Sequence, residues 1–217
     1  MNASLDTDII IHLYRAGEKQ LIYSLFGGLY VYEYLVEQEL KNNARDVYLE
    51  FRKDIEDGLV NEVTSTDLQK KHVKVLFDKY AQDFQYLFDR GEMYAVALAR
   101  AMGIEVLLSD DTKQFGPHDT LLRGLITDVM PFAFYELLFL RYASSAITVA
   151  ELHKQFDAVS KPFDYPMNFR GRMGRTIRRF GKNGTERDRV WIGQYCSECG
   201  ADLTKKLAEL RRYIKSL

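Results

Sequence analysis

Ile104-Glu105-Val106-Leu107-Leu108-Ser109-Asp110-Asp111 is the stretch whose reading decides the fold. Ile104 to Leu108 reads as the clearest strand in the chain and leads directly into Ser109-Asp110-Asp111. Ahead of it, Glu92 to Met102 reads as a helix in which Ala95, Ala97, Ala99 and Ala101 let the backbone lie close on a sheet, and Gly103 ends it. The order is helix, glycine, strand, then a serine and two carboxylates. It puts acids at the carboxyl end of a strand, where open α/β sheets assemble their sites.

Toward the amino terminus the same alternation recurs. Ile9-Ile10-Ile11 predicts a strand within Asp8 to Leu13 that rolls into a helix, and Ala16 to Phe26 has Leu21, Ile22, Leu25 and Phe26 at helical spacing, stopped by Gly27-Gly28. Leu29 to Tyr32 is a second strand, and Glu33 to Leu59 a helical stretch closed near Gly58. Val60 to Thr64 reads as a third strand. Ser65-Thr66-Asp67 then signals the start of a long polar helix carrying Leu68, Val75, Leu76, Tyr80 and Phe84.

The chain has 217 residues, 47% hydrophobic and 28% charged, enough for one full core or for a domain of about 130 residues with an appendage. Its start lacks the basic and apolar regions of a signal peptide, so a cytoplasmic location is expected. The longest apolar candidate, Val129 to Leu140, contains Pro131 and Glu136 and predicts a buried helix, not a membrane span.

Four acidic clusters sit at predicted element ends: Leu5-Asp6-Thr7-Asp8, Val36-Glu37-Gln38-Glu39-Leu40, Asp89-Arg90-Gly91-Glu92 and Ser109-Asp110-Asp111. Taken singly, such an aspartate is a turn or cap residue and such a glutamate a solvated helix position. Jointly, carboxylates remote in sequence that meet at one sheet edge can hold a hard divalent cation through oxygen. A cation so held activates water toward a phosphodiester, the outline of a metal-dependent nuclease.

The residues resemble a known family, the PIN domain, a small metal-dependent nuclease fold, over about residues 4 to 116. Asp6-Thr7-Asp8 before Ile9-Ile10-Ile11 is similar to its opening motif, and Gly91-Glu92 before the alanine-rich helix is similar to one branch's third acidic motif. Glu39 fits the second acid, with Glu37 as the alternative, and Ser109-Asp110-Asp111 the last. The resemblance implies an α/β fold with a parallel sheet flanked by helices. It also implies an endoribonuclease using Mg²⁺ or Mn²⁺ on Asp6, Glu39, Glu92 and Asp110, with Asp8 and Asp111 as supporting or alternative ligands. It extends to the toxin half of a toxin and antitoxin pair. RNA, or DNA, is then the substrate, and an antitoxin protein and a second copy of the chain are candidate partners.

Beyond residue 117 no family is recognised, and the chain is divided at 1–143 and 144–217. Leu121 to Ala143 predicts one or two apolar helices broken near Pro131, and Thr148-Val149-Ala150-Glu151 a capping box. Lys161 to Arg189 carries nine basic residues against three acidic ones, a net +6 that leaves −7 for the rest. Arg170, Arg172, Arg175, Arg178, Arg179 and Lys182 suit phosphate, and Phe169 and Phe180 suit base stacking. Arginines paired with acids elsewhere in the chain are the competing reading. Four glycines, Gly171, Gly174, Gly181 and Gly184, predict a flexible segment there. Cys196 and Cys199 make only half a zinc site and read as reduced thiols. Lys205 to Leu217 predicts a closing amphipathic helix.

Overall fold

The computed structural model describes residues 1–112, 117–122, 126–161 and 167–217. Residues 113–116, at the end of the PIN-like stretch, 123–125, within the helical stretch expected over 121–143, and 162–166, within the basic segment, lie outside them. The chain divides into two compact units, Met1–Phe134 and Tyr135–Leu217.

The first unit is built on a five-stranded sheet. Its strands are β1 (Asn2–Leu5), β2 (Gly28–Tyr32), β3 (Asn61–Val63), β4 (Val106–Leu108) and β5 (Met130–Phe132). All pairings are parallel and the order is β3-β2-β1-β4-β5. The order reverses between β1 and β4, so the crevice of this sheet opens beyond their carboxyl ends.

The helices of this unit are α1 (Thr7–Arg15), the short α2 (Gln20–Tyr23), α3 (Lys41–Asn43), α4 (Arg45–Glu56), α5 (Ser65–Lys70), α6 (Lys74–Phe84), α7 (Arg90–Met102) and α8 (Pro117–Leu122). A π-helical segment, Leu35–Leu40, leads into α3. The alanine face of α7 is buried, and the Ser4 hydroxyl of β1 donates to the Ala95 carbonyl at 3.0 Å. Helix and sheet are therefore close enough for a side chain of one to satisfy the backbone of the other. Gly103 ends α7 at φ +64, a left-handed conformation that any Cβ would strain. Tyr14 of α1, Tyr23 and Lys19 converge on the buried carboxylate of Asp54.

Several expectations need correction. The first strand precedes the isoleucine run, and Ile9-Ile10-Ile11 belongs to α1, where Ile9 and Ile10 face the core. Three successive β-branched residues outweigh helical signals in a propensity reading, but the Asp6 cap and burial of one face decide here. The helix expected over 16–26 is confined to α2. The long polar helix is two, α5 and α6, separated where His72 takes φ +59. Leu68, Phe77 and Phe84 are its buried residues, while Val75 is 81% exposed. Pro131 lies in strand β5, opposite Leu107, where an edge position tolerates a residue without an N–H.

The second unit is helical: α9 (Phe134–Ala143, from its second residue), α10 (Val149–Ser160), α11 (Phe169–Phe180), α12 (Glu186–Glu198) and α13 (Leu203–Ser216). The Thr148 capping box opens α10 as expected. Gly171 and Gly174 sit inside α11, so residues 169–180 of the basic stretch are helical, while Gly181 and Gly184 lie in the turn that follows. Phe180 stacks on Phe139 at 5.6 Å and Phe169 on His153 at 4.0 Å, and both are buried. They pack the interior and are removed from any role in base stacking.

Arg179 is removed from the phosphate-binding set for the same reason. It is 8% exposed, and its guanidinium bridges Glu136 at 2.9 Å and Asp188 at 3.2 Å, tying α9, α11 and α12 together. Truncating it leaves two buried carboxylates without that partner. Arg179→Ala should lower the unfolding free energy by about 3–5 kcal/mol in urea denaturation, and a loss below about 1 kcal/mol would contradict the structural role. Among the described residues, no helix is long and apolar enough to cross a membrane.

Candidate functional site

The carboxyl ends of β1 and β4 are locked by backbone pairing that runs one residue past each strand. Asp6 N–H donates to the Leu108 carbonyl at 2.9 Å, and Ser109 N–H to that of Phe132 at 3.0 Å. Asp6 and Ser109 are thereby fixed side by side, both buried. The Ser109 hydroxyl donates to Asp6 Oδ2 at 2.7 Å and the Thr7 N–H to Oδ1 at 2.7 Å, which makes Asp6 the N-cap of α1.

The other acids gather around this pair from four elements. The Thr7 hydroxyl donates to Glu39 Oε2 across to the π-helical segment. Gly91 lies directly beneath that carboxylate, and a Cβ at 91 would overlap both Glu39 oxygens. Glu92, at the third position of α7, is buried and accepts from the Asp89 N–H at 3.0 Å in a capping box. Asp110 accepts from the Phe134 N–H at 2.7 Å and from His12 Nδ1 at 2.8 Å. Asp111 N–H reaches the Ser109 hydroxyl at 3.3 Å. Glu37 points elsewhere, to Lys41, Tyr48 and Arg52.

These carboxylates feel one another. Burial pushes the Asp6 carboxyl well above its ordinary value, and the charges of Asp8 and Glu92 push it further. Asp8 is raised by burial, with Asp110, Asp111 and Asp89 adding and His12 opposing. Glu39 is raised by burial, the Thr7 hydroxyl opposing and Asp89 and Asp8 adding. Among the described residues no lysine or arginine pairs with Asp6, Asp8 or Glu39. Negative charge is thus concentrated on the edge of the sheet without a cationic side chain on these three acids.

Donor chemistry of this kind, all carboxylate and hydroxyl oxygen, fits a hard divalent cation. The geometry is looser than the chemistry: among the described residues no three His, Cys, Asp or Glu side chains are grouped as ligands of one ion. Glu39 and Glu92 each spend an oxygen on a protein donor and Asp110 spends both, so shared coordination requires side-chain rotation about a fixed Asp6.

Sequence reasoning did not single out Thr7, Asp89 or His12 as contributors. Once residues 7–15 are a helix, Asp8 and His12 are four apart and share a face, and that spacing was the available signal. At the far end of the chain, Cys196 is buried, with its thiol pushed up to about 11 by burial, and Cys199 is exposed; neither forms a disulfide.

A carboxyl whose folded-state pKa is raised contributes stability that is fully present below its unfolded value, about 4, and lost as pH rises through the folded value. Asp6, Asp8 and Glu39 all have this sign. Asp6→Asn keeps the Thr7 amide bond on its one oxygen, turns the Ser109 contact into one in which the Asn NH2 donates to the hydroxyl, and removes the buried charge. It should raise the melting temperature at pH 7 by about 3 °C or more, with the gain shrinking toward pH 4. A variant less stable than the parent at pH 7 would contradict the charge-crowding account. Comparison of the chain with protein-family models, curated proteins and solved structures finds no match.

Proposed function

We propose that the chain is a metal-dependent nuclease of PIN type, an endoribonuclease in the first instance, with the acidic edge of its sheet as the active site. The observation that carries this reading is the buried Asp6 at the switch point of the sheet, held by Ser109 and Thr7 and crowded by Asp8 and Glu92. Such crowding raises the free energy of the ionised cluster, and Mg²⁺ or Mn²⁺ relieves it. Asp6, Glu39, Glu92 and Asp110 would hold the cation, with Asp8 and Asp111 alongside. A cation bound there supplies charge neutralisation at a phosphodiester and a water of lowered pKa.

The protein's own groups have separate tasks. Ser109 fixes the direction of the Asp6 carboxylate, and His12 fixes Asp110 while offering an imidazole beside it. Thr7 holds Glu39 toward the same end of the sheet. Exposed Arg170, Arg175, Arg178 and Lys182 support a polyanionic substrate, as does the partly exposed Arg172 beside Tyr135. The same side chains favour a second reading, a nucleic-acid-binding protein whose acidic edge is structural. In the first reading DNA is an alternative substrate, and a toxin of this kind has an antitoxin protein as its partner, with self-association into a homodimer.

Cleavage separates the two. Single-stranded and structured RNA and DNA should be cut in Mg²⁺ or Mn²⁺ and not in chelator, and Asp6→Asn should lower the rate by about 100-fold or more while RNA binding persists. Ser109→Ala and His12→Ala should each cost about 10–100-fold, because they orient rather than replace a ligand. Cutting at the parental rate by Asp6→Asn, or none on any substrate, would contradict the nuclease reading.

A further inference from the structure

The second unit carries a concave pocket of about 280 Å³ bordered by three cations. Arg178 lies in the last turn of α11, Lys182 in the turn that follows, and Arg211 on α13. Arg211 reaches the end of α11: its Nη2 is 3.5 Å from where a Cβ on residue 181 would stand. Ile177 and Leu207, both buried, form an apolar floor, and Thr204 adds a hydroxyl. No carboxylate is among the lining residues.

The three cations differ from Arg179 and Arg52. Arg179, next in sequence to Arg178, spends its guanidinium on Glu136 and Asp188, and Arg52 binds Glu37 and Glu62. Arg178, Lys182 and Arg211 are exposed, and among the described residues none forms an ion pair. Three like charges around one concavity repel one another, and an anion with several oxygens relieves that repulsion. Guanidinium forks, an ammonium and a hydroxyl match a phosphoryl group, and the apolar floor suits a sugar or the edge of a base. The volume is at the small end of ligand pockets, about 300–1,000 Å³, and admits one nucleotide unit rather than a duplex.

We infer that this pocket binds the phosphoryl group of a nucleotide, carried either within a single strand or by a free mononucleotide. It goes beyond the acidic site and does not require that site to cleave. The competing role for Arg178 and Lys182 is to offset the negative end of the α11 dipole, which changes stability and not ligand binding.

The test is fluorescence anisotropy of a labelled short single-stranded RNA with the full chain in EDTA. A nucleoside monophosphate and the corresponding nucleoside serve as competitors. Arg178→Ala and Arg211→Ala should each weaken binding by about fivefold and reduce the slope of log K against log salt by about 1, while Arg211→Lys keeps most of that slope. Competition by the monophosphate and not the nucleoside assigns the free nucleotide as the source. Strand binding that the monophosphate does not compete assigns phosphate within a strand. Unchanged affinity and slope in both alanine variants, or binding of neither RNA nor nucleotide, would overturn the inference. Since EDTA removes divalent ions, this binding is read independently of metal-dependent cleavage at the acidic site, so the two readings can fail separately.

Discussion

A carboxylate buried between the ends of two adjacent parallel strands is the constraint on which the first unit turns. Asp6 is held there by the sheet itself: its N–H extends the β1–β4 ladder and its oxygens take the Thr7 amide and the Ser109 hydroxyl. The same residue starts α1, which carries Asp8 and His12, and the imidazole of His12 reaches Asp110 beyond β4. Through Thr7 it reaches the π-helical segment and Glu39, and beneath Glu39 only a glycine fits at the start of α7. The order β3-β2-β1-β4-β5 makes this convergence possible, because it places β1 and β4 side by side with their helices diverging.

The parallel sheet was legible because buried strands announce themselves as short apolar runs beside turn signals. β2 and β4 follow that rule, β3 (Asn61–Val63) falls within the stretch expected over 60–64, and α7 shows in its alanines and glycine stop. β1 did not, since Asn2–Leu5 is too short to show a period and the adjacent isoleucines point to the wrong residues. β5 did not either, because Pro131 argues for a break, and its acceptance at a sheet edge depends on tertiary position. The candidate site was legible as residue types at element ends. Its second acid was ambiguous for a physical reason: Leu35–Leu40 is π-helical, so a 3.6-residue period cannot say which of Glu37 and Glu39 turns inward.

The basic segment shows where charge counting stops being informative. Composition treats its arginines alike, whereas the fold sorts them. Arg179 is consumed by a buried triad with Glu136 and Asp188, and Arg170, Arg175 and Arg178 stay on the surface. Helical spacing accounts for the sorting: α11 presents Met173, Thr176, Ile177 and Phe180 inward, with Arg179 reaching its partners from the margin of that face. Arg211, some thirty residues downstream, joins Arg178 and Lys182 only through the packing of α13, which no local pattern encodes.

The claim that this crowded edge is a divalent-cation site is tested most directly by titrating Mn²⁺ into isotopically labelled protein and following paramagnetic broadening of its amide resonances. Saturable broadening centred on residues 6–8, 91–92 and 109–111, absent in the Asp6→Asn chain and displaced by Mg²⁺, is the expected result. Broadening centred elsewhere, or unaffected by Asp6→Asn, would contradict the account.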